Sequence, residues 1–213
     1  QTDTRKLKEG DIYFALKGPN FNGNDFAVSA LGAGASWAIV DEPVGEGNPK
    51  IIRVDDTLRT LQALASLHRD QFNIPFIAIT GSNGKTTTKE LVHAVLSTQY
   101  HTYTTQGNLN NHIGVPLTIL KIRRDAQMAV IEMGANHRFE IESYCRYAKP
   151  NYGLITNIGK AHLEGFGGEE GVKKGKGELF DFLKYNDGVA FVNADDQKVS
   201  ELSERLTRKI LYG

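Results

Sequence analysis

The chain has 213 residues, with 25 Lys and Arg against 25 Asp and Glu, so it carries no net charge and offers no global electrostatic footprint for nucleic acid or an anionic membrane. Its single cysteine excludes an internal disulfide framework and a multi-cysteine zinc site. An apolar content of 40% with 23% charged residues is an ordinary globular balance, and no apolar stretch approaches the ~20 residues of a membrane span, so a reducing, cytoplasmic setting is expected. A monomer is expected as well.

Residues 12–16 read as a strand, 25–31 as a helix, and 37–40 and 51–54 as strands, a set of small α/β units. Over 56–72, Leu58, Leu61, Leu64, Ala65 and Leu67 fall near helical spacing, with Asp55 or Asp56 as N-cap. That helix leads into Asn73-Ile74-Pro75, where proline disfavours further helix; the expected boundary separates an N-terminal domain, 1–74, from a second domain, 75–213. In the second, apolar runs at 76–79, 128–131, 153–156 and 189–192 alternate with helices near 85–97, 139–147 and 170–183. Continuous apolar strands between helices predict a largely parallel sheet buried on both faces. The glycine-rich stretch 165–177 reads as a mobile loop running into a helix, and Lys209-Ile210-Leu211 as a last strand.

Thr80-Gly81-Ser82-Asn83-Gly84-Lys85-Thr86-Thr87 follows a buried strand and precedes a helix, so backbone amides and the helix N-terminus can converge on phosphate oxygens. Lys85 supplies a point charge to the β/γ-phosphates, and the Thr86 hydroxyl can reach a magnesium ion. The match to the general phosphate-loop pattern is incomplete, because Ile79 stands where its first glycine would be. Downstream, Val130-Ile131-Glu132-Met133-Gly134 puts Glu132 at the C-terminal end of an apolar strand, the edge where ligands collect in open α/β sheets. Asn157-Ile158-Gly159-Lys160-Ala161-His162 follows another strand and brings His162 to the same edge, where a carboxylate and an imidazole are both compatible with a magnesium site. On composition alone, Lys173, Lys174 and Lys176 are a solvated basic face.

The run from Thr80 to Thr88 resembles the ATP loop of the Mur ligases, which extend the peptidoglycan precursor, and of their folylpolyglutamate synthetase relatives. The blocks 107–116, 132–137 and 162–166 are most similar to the branch that joins D-alanyl-D-alanine to UDP-N-acetylmuramoyl-tripeptide. Asp3-Thr4-Arg5-Lys6, the block 10–18 and Phe21-Asn22-Gly23-Asn24-Asp25-Phe26 resemble the uridine-nucleotide domain of that branch and of its diamino-acid-adding neighbour. The resemblance implies a UDP-substrate domain followed by an ATPase domain, and an ADP-forming carboxylate-amine ligase working through an acyl phosphate. It implies ATP bound by Gly81, Ser82, Asn83, Gly84, Lys85, Thr86 and Thr87, and two Mg²⁺ ions, with Thr86 on one. The second would be held by Glu132, His162 and a carbamylated lysine at Lys176, with Lys174 as the register alternative. Substrate contacts are implied at Thr4, Arg5, Lys17 and Gly18, and at Asn110 and Asn111 with Thr105 behind them. Two other readings stay open: a ligase adding a diamino acid, and a non-catalytic nucleotide-binding module. Because such ligases have three domains, the chain is expected to be a fragment that forms no amide bond by itself.

Overall fold

The apolar runs and amphipathic segments become eleven strands and eight α-helices among the described residues, 1–160 and 162–213, of the computed structural model. They group into two units, Gln1–Leu64 and Ala65–Gly213.

In the first unit, β1 (Ile12–Phe14), β4 (Trp37–Val40) and β5 (Ile51–Arg53) form a parallel sheet in the order β1-β4-β5. Two two-residue strands, β2 (Lys17–Gly18) and β3 (Phe21–Asn22), make a hairpin that leads through a 3-10 turn into α1 (Ala27–Gly32). Small residues on α1 and β4, Ala27, Ala30 and Ala38, let helix and sheet approach closely around Tyr13 and Val40. The buried Tyr13 hydroxyl donates to the Gly23 carbonyl at 3.0 Å.

Helix α2 (Thr57–Arg69) starts where Asp56 accepts the Arg59 N–H at 2.8 Å, an N-cap that satisfies one of the helix's orphan donors. The two compact units divide inside this helix, between Leu64 and Ala65. Its last turn is held by the second unit: the Arg69 guanidinium donates to the carbonyls of Ala148 and Lys149 at 2.9 and 3.0 Å and lies 3.8 Å from the Phe76 ring centroid.

In the second unit, six parallel strands are ordered β11-β10-β9-β6-β8-β7. They are β6 (Phe76–Thr80), β7 (Thr102–Thr104), β8 (Met128–Glu132), β9 (Tyr152–Ile155), β10 (Val189–Asn193) and β11 (Lys209–Tyr212). The helices are α3 (Lys85–Leu96), α4 (Gly114–Leu120), α5 (Glu140–Ala148), α6 (Leu163–Phe166), α7 (Glu169–Tyr185) and α8 (Gln197–Ser203). Phe76, Ala78, Ile131, Leu179 and Phe180 sit in one core, where each large side chain contributes about 1.5–3 kcal/mol by leaving water. From β6 the chain travels to β7 at one edge; from β9 it travels to β10 toward the other. Connections diverge between β6 and β9, so a crevice opens at their C-terminal ends. No helix among the described residues is long and apolar enough to cross a membrane.

The glycine-rich stretch departs from expectation. Most of 165–177 is helical, in the end of α6 and the first half of α7. Close approach accounts for the composition: a Cβ on Gly175 would stand 2.3 Å from the Phe166 ring.

Candidate active site

The loop after β6 is braced from β9. Gly81 has φ +141°, and a Cβ there would lie 2.0 Å from Thr156 Oγ1, so glycine is required on both counts. The Ser82 N–H donates to the Asn157 carbonyl at 3.0 Å, and Thr156 Oγ1 donates to the Asn83 carbonyl at 2.6 Å. The Asn157 amide grips the loop tip in both directions, accepting the Asn83 N–H at 3.1 Å and donating to the Asn83 carbonyl at 3.0 Å. Ile79, the departure from the general phosphate-loop pattern, is fully buried in β6; the bend occurs after it. Gly84 precedes α3 with φ 77° and no side chain caps that helix, which leaves the amides of its first turn for an anion. Lys85 folds back over the loop, its Nζ donating to the carbonyls of Gly81 and Ser82 at 2.9 and 3.1 Å. Burial pushes the Lys85 amine below the ordinary lysine range, and the Glu132 carboxylate pulls it back.

Glu132 ends β8 and is 1% exposed. One carboxylate oxygen, Oε1, accepts from Thr86 Oγ1 at 3.1 Å and from Asn110 Nδ2 at 2.7 Å. The other, Oε2, is buried without a hydrogen-bond partner. A buried carboxylate oxygen without a donor is costly, whereas a hard cation would satisfy it, and the hydroxyl and carboxylate donors suit Mg²⁺. Among the described residues no three His, Cys, Asp or Glu side chains converge as a ready metal cluster, so Glu132 is the carboxylate around which such a site would be built.

Thr105 lies beneath this point and not on a solvent-facing wall. It is fully buried, and its Oγ1 accepts the Glu132 N–H at 3.0 Å. Asn111 uses its side-chain oxygen to accept the N–H groups of Ile113 and Gly114 at 3.1 and 2.8 Å, anchoring the start of α4. Lys85, Asn110, Asn111, Glu140, Tyr144 and His162 line one cleft of about 480 Å³. His162 enters it as an exposed residue with φ 54°.

The three lysines of α7 separate by burial. Lys173 pairs with Glu201 at 2.6 Å and Lys174 with Glu170 at 3.6 Å, both on the surface. Lys176 is 1% exposed; its Nζ donates to the Ala135 carbonyl at 3.0 Å and lies 5.1 Å from the Phe166 ring centroid. Burial, reinforced by the positive charge of Lys85, pushes its amine down to about 8.

In the first unit, Thr4 and Arg5 border a cleft of about 490 Å³ together with Tyr13, Phe21 and Phe26. Lys17 is turned to Asp41 and Glu42 at 3.0 and 2.9 Å, and Gly18 lies under the Phe21 ring. The Glu42 hydrogen bond, with that of Asp41, raises the Lys17 amine above the ordinary lysine range.

Sequence reasoning assigned no role to Thr156 or Asn157. Their signal is positional: they follow directly on the strand that flanks β6 across the crevice.

With this geometry in hand, two family models divide the chain. The Mur ligase middle domain matches residues 79–213, and the Mur ligase family catalytic domain matches residues 1–72. The UDP-N-acetylmuramoyl-tripeptide--D-alanyl-D-alanine ligase of Bacillus subtilis (strain 168) is 43% identical over 197 residues, covering 92% of this chain and 43% of the relative. The ligase of the same name from Escherichia coli (strain K12) is 45% identical over 195 residues, covering 92% and 43%. Among solved structures, MurF from Acinetobacter baumannii superposes with a TM-score of 0.91 at 38% identity, covering all of this chain and 47% of the other. MurF ligase from Thermotoga maritima in complex with ADP gives 0.90 at 32% identity, covering 100% and 49%. The chain thus spans just under half the length of each of these proteins.

Proposed function

The chain belongs to the Mur ligase family, and from that premise we propose that the protein joins D-alanyl-D-alanine to UDP-N-acetylmuramoyl-tripeptide at the expense of ATP. The observation that carries this reading is the convergence of Thr86 and Asn110 on a buried Glu132 whose Oε2 has no partner, with Lys85 near enough to feel its charge. The choice of acceptor rests on relatives of that name at 43% and 45% identity. Residues 1–74 are the UDP-substrate domain and 75–213 part of the ATPase domain in this proposal. In this proposal the enzyme works in the cytoplasm, where ATP is available, and is taken to be a monomer.

In the reaction, a terminal carboxylate oxygen of the tripeptide attacks the γ-phosphorus and ADP leaves; the amine then attacks the acyl carbon, loses a proton, and phosphate leaves. Two anions must meet, so the barrier is largely electrostatic. The amides of loop 81–84 and of the first turn of α3 orient the phosphates, and Lys85 exchanges its loop carbonyls for the transferring group. Thr86 would hold one Mg²⁺, and Glu132, His162 and a carbamylated Lys176 would hold a second. Magnesium would supply charge neutralisation between nucleotide and carboxylate. Burial of Lys176 favours the neutral amine, the form that adds to CO₂ with release of a proton. Asn110 holds Glu132 Oε1 and leaves Oε2 for the cation. Thr4, Arg5, Lys17 and Gly18 belong to the substrate side of the proposal, as does Asn111.

In the full-length protein, Lys85→Ala is expected to abolish ADP release while UDP-N-acetylmuramoyl-tripeptide still binds by calorimetry. Turnover at the wild-type rate would remove the phosphate-loop assignment. Ligation of a diamino acid instead of D-alanyl-D-alanine would change the branch.

A further inference from the structure

Among the described residues, the one buried side chain of α3 is a lysine. Lys89 is 0% exposed, while Leu91 and Val95 on the same helix are 64% and 69% exposed. A helix that hides Lys89 while Leu91 and Val95 face solvent is not oriented by apolar burial alone. Lys89 Nζ donates to the Thr105 carbonyl at 2.6 Å and to Glu90 Oε1 at 2.6 Å. Burying an amine is tolerated only when it is paired, and both contacts are short.

What lies beyond the Thr105 carbonyl gives this contact its consequence. The Thr105 N–H donates to the Val130 carbonyl at 3.2 Å, and its Oγ1 accepts the Glu132 N–H at 3.0 Å. Thr86, one turn before Lys89 on α3, donates to Glu132 Oε1, and Asn110, on the loop that Thr105 opens, donates to the same oxygen. One helix therefore addresses Glu132 twice, directly through Thr86 and through Thr105 by way of Lys89.

We propose that Lys89 is a positioning residue: by clamping the Thr105 carbonyl it fixes β8 and the Asn110 loop against α3, so that Glu132 Oε2 stays aimed at a divalent cation. The inference rests on Glu132 being a metal ligand, and Lys89 touches neither cation nor substrate. Replacement by methionine keeps the length and burial of the side chain and removes the donor.

The test measures Mn²⁺ affinity by electron paramagnetic resonance, with ADP present, in full-length Lys89→Met, Lys89→Arg and Glu132→Gln proteins. Loss of a group that orients a metal ligand weakens metal binding about tenfold, the effect expected for Lys89→Met. Amide exchange across 105–111 should quicken, and ADP affinity without divalent metal should hold. Arginine keeps the charge, but its larger planar head displaces the carbonyl, so about threefold weakening is expected. If the methionine variant fails to fold, the arginine variant decides. Wild-type Mn²⁺ affinity in the folded Lys89 variants, with Glu132→Gln impaired, overturns this inference and leaves the metal reading standing. Unchanged affinity in Glu132→Gln removes the metal reading and this inference with it.

Discussion

Replacing Lys176 by methionine should change how stability depends on pH. In the folded protein the amine is pushed from its ordinary 10.5 down to about 8, chiefly by burial. That difference corresponds to about 3 kcal/mol. The sign follows from proton counting. Between about pH 8 and 10.5 the unfolded chain keeps the proton that the folded protein has lost, so folded stability rises with pH across that window. Below it both states are protonated and the burial penalty is present in full; above it both are neutral and the penalty is gone. Methionine removes the titration, at the expense of leaving the Ala135 carbonyl without the donor now 3.0 Å away, a loss of about 1–3 kcal/mol that is independent of pH. Urea unfolding of wild type and Lys176→Met in CO₂-free buffers from pH 7 to 11 gives the stability difference at each pH. Wild type should gain about 3 kcal/mol on the variant as pH rises through the window. A difference that stays constant across the range would refute the assignment of Lys176 as a buried, depressed amine.

Asn157→Ala removes both hydrogen bonds to the Asn83 backbone. At about 0.5–1.5 kcal/mol each, the loss should lower the thermal midpoint by a few degrees, and ADP affinity measured by calorimetry should fall about tenfold as the loop loosens; equal affinity would show that the brace is dispensable. Gly81→Ala combines a disfavoured φ of +141° with a 2.0 Å clash against Thr156 and should lose nucleotide binding altogether, which a filter-binding assay would register. Lys176→Ala should lose activity and recover part of it when bicarbonate and a short carboxylic acid are added, whereas Lys174→Ala should remain active; the reverse pattern would move the carbamate to Lys174.

The legible parts of the fold were those written in continuous apolar runs. Strands β6, β8, β9 and β10 and helices α3, α5 and α7 lie within a residue or two of their expected positions; in β6 and β8 burial on both faces leaves an unbroken apolar signature. Strand β7 has no such signature: it is Thr-Tyr-Thr at a sheet edge. The β2–β3 hairpin is two residues on each side, too short for any period to register. Helix α8 carried a usable cue in Asp196, whose side chain accepts the Val199 N–H as an N-cap. The compact second unit takes in the end of α2, where Arg69 reaches the carbonyls of Ala148 and Lys149 at the end of α5, a long-range contact that local spacing does not encode.

At the site, motif and edge position were enough to bring Lys85, Thr86 and Glu132 forward. They did not reveal that Thr105 accepts the Glu132 N–H, that Asn111 anchors α4, or that Lys17 is engaged by Asp41 and Glu42. That Lys176 is buried while Lys174 is exposed is something three lysines in four positions cannot declare on their own.

The acyl phosphate is the centre of this account, and isotope transfer tests it most directly. UDP-N-acetylmuramoyl-tripeptide labelled with ¹⁸O in its terminal carboxylate is incubated with the full-length protein, ATP, Mg²⁺ and D-alanyl-D-alanine, and the released phosphate is weighed by mass spectrometry. One labelled oxygen per phosphate is the predicted result, because the attacking carboxylate oxygen departs with the phosphoryl group. Amide product accompanied by unlabelled phosphate would contradict it.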